Sequence, residues 1–101
     1  MIKIYQGQSL SFEWDTVPKK DLSGFACKVQ VKDENGIGLL TRDITTMSSD
    51  NKAFAGSFTK EDTQSWTVGL CKICVELTND ITNESAPFSK VIRVLEDPIK
   101  N

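Results

Sequence analysis

The chain is 101 residues long, 39% hydrophobic and 26% charged, with a formal net charge of −2 and a pI near 5.0. That is one small globular domain with room for one core, and its interspersed Lys, Arg, Asp and Glu give no basic footprint for nucleic acid. No apolar run approaches the ~18 residues of a membrane span, so neither nucleic acid nor membrane is expected as a partner.

In chain order, "IKIYQGQSLSFEWD" sets Ile2 and Ile4 on one side, breaks at Gly7, then sets Leu10, Phe12 and Trp14 on one side. Period two predicts half-buried strands, with Gly7 as a bulge or bend between two segments. "TVPKKDLSG" reads as a loop through Pro18 and Gly24. "FACKVQVKD" alternates, with Phe25, Cys27, Val29 and Val31 inward. Asn35-Gly36 predicts a tight hairpin turn with positive φ angles, returning as "IGLLTRDIT". After the loop "TMSSDN", "AFAGSFT" puts Phe54, Gly56 and Phe58 on one face.

Thr59 and Asp62 have the spacing of a capping box, enough for one helical turn near residues 60–65. From Leu70 the period returns to two, with Cys71, Ile73, Val75 and Leu77 inward and Lys72, Cys74, Glu76 and Thr78 outward. "NDITNESAP" reads as the last loop, and "FSKVIRVLE" as a closing strand carrying Phe88, Ile92 and Val94. About seven short strands at these spacings predict an all-β, two-sheet antiparallel sandwich over residues 1–97, with a C-terminal tail at 98–101.

The candidate chemistry is sparse. Cys71 and Cys74 have the spacing of a zinc or redox pair, but residues three apart on a strand point to opposite faces, and the chain has no His and only Cys27 besides. No metal, cofactor or catalytic site is expected. Cys27 and Cys71, both inward, read either as two core thiols or as a disulfide between sheets, and the sequence leaves that open. The acidic pairs Asp33-Glu34 and Glu61-Asp62 fall in a turn and a helix cap, which accounts for them structurally. Asn83-Glu84-Ser85 is a formal sequon that reads as a loop signal. Tyr5, Trp14 and Trp66 are the candidates for an aromatic sugar platform, although Trp14 falls on the core side of its strand. Met1 leads at once into "IKIYQ", without a basic segment followed by an apolar one, so synthesis in the cytoplasm is expected.

"DLSGFACKVQVKDENG" resembles the second-strand segment of the small immunoglobulin-like domains of tailed-phage and prophage structural proteins. "FTKEDTQSWTVGLCKICVEL" is similar to their Thr-turn, Gly and long-strand signature, and "SKVIRVLED" to their closing strand. The amino-terminal domain of phage baseplate upper proteins is similar over residues 1–97. Where that pattern usually has an aromatic residue after the Gly, this chain has Leu70-Cys71, with Trp66 the nearby substitute.

The resemblance implies an immunoglobulin-like, non-catalytic virion component of a tail, baseplate, neck or head decoration. It would be made in the cytoplasm of a bacterial host and act by assembly with copies of itself, as a homo-oligomer, or with other virion proteins. The rival expectation is a host-surface or carbohydrate-binding module that uses the loops at 47–52 and 80–87.

Overall fold

A computed structural model describes residues 2–16 and 19–99. The expected loop through Pro18 and the tail at 98–101 therefore lie partly outside the described residues. Seven strands and one short helix follow in order: β1 (Ile2–Tyr5), β2 (Leu10–Trp14), β3 (Ala26–Asp33), β4 (Gly38–Ile44), β5 (Phe54–Phe58), α1 (Lys60–Gln64), β6 (Gly69–Asn79) and β7 (Glu84–Leu95). They form a five-stranded sheet in the order β1-β7-β6-β3-β4 and a two-stranded sheet of β2 and β5.

Alternation dictates which side of each central strand is buried. In β3, Cys27, Val29 and Val31 are buried, and in β6 so are Cys71, Ile73, Val75 and Leu77. The two strands pair in register, Val29 against Val75 and Val31 against Ile73. Phe54 and Phe58 of β5, with the partly buried Leu10, Phe12 and Trp14 of β2, complete one hydrophobic cluster with them. Phe12 sits directly across from Gly56, where a Cβ would lie 2.9 Å from the Phe12 ring. The glycine is what lets the ring lie flat on the neighbouring strand.

The antiparallel expectation is corrected at β1, which runs parallel to β7, with Ile2 opposite Ile92 and Tyr5 opposite Leu95. Period two tells which face a residue occupies, not which strand lies beside it, and no short turn joins these two segments. Gly7, at φ +83°, does more than bend one strand. It moves the chain from the five-stranded sheet to the two-stranded one.

Helix α1 locks that crossing. Its capping box forms as the spacing predicts: the Asp62 N–H donates to Thr59 Oγ1 at 3.2 Å and the Thr59 N–H to Asp62 Oδ2 at 2.8 Å. The fully buried Thr63 hydroxyl accepts from the Gly7 N–H at 3.0 Å and donates to the Gln8 carbonyl at 2.8 Å. Gln6 Nε2 donates to the Trp66 carbonyl at 2.7 Å. One turn of helix thus satisfies the backbone groups that the kink strips from β pairing.

Two boundaries differ from expectation. At the first hairpin only Gly36 has positive φ, at +81°, and the strands shift register near Val31 and Lys32. Asp33 supplies the missing restraint: its buried carboxylate accepts from the Asn35 and Ile37 N–H groups, both at 2.9 Å. At the other end, Glu84 through Pro87 belong to β7 rather than to a loop.

Pro87 fits a strand because of where its absent N–H would point. The Gln6 N–H donates to the Leu95 carbonyl, so odd-numbered residues of β7 turn their backbone groups away from β6. Pro87 pairs with Glu76 on β6, but β1 accompanies β7 only from Ile92 to Leu95. The missing donor falls on the open edge, the side on which a strand proline is tolerated.

Candidate interaction surface

Cys71 is buried and Cys74 half-buried on the opposite face of β6, as alternation requires. The Cys71 thiol donates to the Thr67 carbonyl at 3.5 Å. Cys74 opens onto a shallow depression of about 490 Å³ lined by Lys28, Gln30, Lys72 and Glu76. Among the described residues no three His, Cys, Asp or Glu side chains converge as a metal-binding group.

The disulfide alternative between Cys27 and Cys71 fails on register. Both cysteines lie in the same sheet, and Cys27 pairs with Leu77 while Cys71 pairs with Asp33. Six positions of β6 then separate them, roughly 20 Å, where a disulfide needs Cα atoms within about 7 Å. Burial first, and Asp43 second, push the Cys27 thiol up to about 11. Burial, then Asp33 and Glu34, raise Cys71 as well.

One carboxylate of each acidic pair is committed to structure. Asp33 holds its turn, and Asp62 is shared between the helix cap and Arg42, whose Nη2 lies 2.9 Å from Asp62 Oδ1. Arg42 also donates to the Ser57 carbonyl at 3.1 Å and lies over the Phe58 ring. The Arg42 hydrogen bond is the leading cause that lowers the Asp62 pKa, against a smaller opposing effect of burial. Nothing in the spacing of residues 42 and 62 announces this pair; it follows from β4 and α1 flanking β5.

The aromatic candidates do not gather. Trp66 is fully buried, edge-on to Phe58 at 4.9 Å between ring centroids, and its indole N–H has no hydrogen-bond partner among the described residues. Trp14 packs on Phe12 at 3.8 Å in the two-stranded sheet, while Tyr5 lies in the other sheet. Of the two loops, the one at 47–52 folds back on itself, with the Ser48 N–H donating to the Ala53 carbonyl and Met47 bridging Phe54.

What the fold does assemble is a cationic patch on the outer face of the five-stranded sheet. Register sets Lys32 opposite Lys72, and Lys3 opposite Arg93, across four adjacent strands. None of the four has an ion-pair partner among the described residues. Like charges directly opposite one another destabilise a sheet, so the Lys32–Lys72 and Lys3–Arg93 pairs are each repulsive. Between the charges lie Leu70 and the exposed Val91, which with Lys32, Lys72 and Glu34 line a pocket of about 280 Å³. The sequence hid the patch because its residues are spread over 90 positions and meet only through strand pairing.

No protein-family model matches the chain, and no curated protein matches it. No helix among the described residues is long and apolar enough to cross a membrane.

Proposed function

We propose that this protein is an immunoglobulin-like, non-catalytic structural domain of a tailed-phage or prophage virion, acting by assembly with copies of itself or with other virion proteins. The observation that carries the reading is the outer face of the five-stranded sheet. There Lys32, Lys72, Lys3 and Arg93, none of them in an ion pair among the described residues, flank an apolar floor with Asp33 and Glu34 at its rim, an arrangement suited to contact with another surface. The strand order supports the immunoglobulin-like part. β7-β6-β3 neighbour one another as G, F and C do in such domains, and β2 and β5 pair as B and E. The resemblance at residues 21–33 and 57–77 supplies the virion part.

Assembly uses faces more than edges. Pro87 blunts the open stretch of β7, and the β1 edge is closed at Tyr5, whose N–H donates to Gln8 Oε1 and whose carbonyl accepts from the Gln8 N–H. The test combines light scattering on the purified protein from micromolar to millimolar concentration with electron microscopy and mass spectrometry of phage particles from the source lysate. Self-association, or presence in particles, is expected; a strict monomer absent from particles overturns the reading.

A further inference from the structure

The hairpin tip between β6 and β7 has the form of a plug. Asn79 is buried, and its Oδ1 accepts from the Ile81 N–H at 3.0 Å and the Thr82 N–H at 3.2 Å. Asn83 takes the left-handed conformation at φ +58°, and Thr82 Oγ1 donates to Glu84 Oε1 at 2.8 Å. This fixed turn holds Ile81 at 92% exposure, beside Asp80, which has no ion-pair partner among the described residues. An apolar side chain presented by a turn already ordered loses little entropy when it docks.

At the far end of the same hairpin lies a surface of matching character. The pocket of Leu70, Val91, Lys32 and Lys72 offers an apolar floor and two cations; Asp33, its carboxylate held by the turn, and Glu34 also line it, and Arg93 and Lys3 lie beside it and leave the surrounding face net positive. The tip cannot reach its own pocket, because the seven positions from Lys72 to Asn79 span roughly 23 Å of strand. Their contact is possible only between molecules.

We infer that Asp80 and Ile81 of one copy dock into the Lys32/Lys72 pocket of the next, a head-to-tail contact that builds a ring or an open filament. The inference rests on the assembly reading and names its interface. Because the two surfaces are different patches, each copy uses both and the chain of contacts continues until the rotation closes. The Asp80 carboxylate also relieves the repulsion between Lys32 and Lys72, so the contact weakens as salt rises. A contact this small is weak alone and gains strength from the number of copies in a closed assembly.

Sedimentation velocity on the full chain, from micromolar to millimolar and at low and high salt, tests it with three variants. Ile81→Ser and Lys72→Glu should each weaken self-association about tenfold or more, and the double variant Asp80→Lys/Lys72→Glu should recover most of the loss. Lys72→Glu should leave the melting temperature unchanged or raised, since it places a carboxylate opposite Lys32, which separates lost docking from lost folding. Association that ignores Ile81→Ser, or a double variant no better than Lys72→Glu, overturns the inference and leaves assembly by another face. A wild-type monomer at millimolar concentration that is nevertheless found in particles overturns the inference alone. The same monomer absent from particles overturns the assembly reading with it.

Discussion

At the scale of single residues, burial separates three chemically identical thiols. Cys27 and Cys71 are shut inside the sheet, with their ionisation pushed up by burial, while Cys74 faces the outer depression. A small disulfide reagent at pH 8 should therefore label one thiol quickly in the native protein and the other two only on unfolding. Rapid labelling of a second native thiol contradicts this. The Cys27 thiol ionises at 9.0 when unperturbed and at about 11 when folded, so its contribution to stability is complete below the first value and lost as pH climbs toward the second. Trp66 shows the opposite case, a residue whose sequence position suggested a surface role and whose ring ended at the centre of the core. Its indole N–H, without a partner among the described residues, is a cost set against the packing on Phe58.

At the scale of elements, sequence was legible wherever one signal was local. The alternation of β3 and β6 showed their buried faces, and Thr59 with Asp62 showed the cap of α1, because neighbours along the chain make those structures. Partners far apart were not legible: β1 beside β7, Arg42 beside Asp62, Lys3 beside Arg93. Glu84 through Pro87 read as loop because their composition matches one, and only the orientation of β7 shows that a proline is harmless there. Asp62 offers a test at this scale. Its lowered pKa means that its stabilisation is present above about 4 and disappears as pH falls through the folded value. With Arg42 one-third exposed, Asp62→Asn should cost about 1 kcal/mol at pH 7, and the gap to the wild type should close as pH falls through the lowered folded value. Denaturant titrations across pH 2–7 measure this, and a gap independent of pH contradicts it.

At the scale of the whole molecule, the two sheets differ in what they leave exposed. The five-stranded sheet shows cations on its outer face, and its open β7 edge is interrupted by Pro87. Pro87→Val restores a donor to that edge and should bring concentration-dependent aggregation, visible as a rising scattering signal at unchanged melting temperature. A variant as soluble as the wild type would show that the edge needs no such protection. The parallel pairing of β1 with β7 also orders events in time. Ile2 meets Ile92, so β1 waits for a strand 90 positions later in the chain before it has a partner. Until then its apolar side chain Ile4, destined for full burial, stays in water. Docking of β1, beside the Gly7–Thr63 latch, therefore depends on β7 being in place.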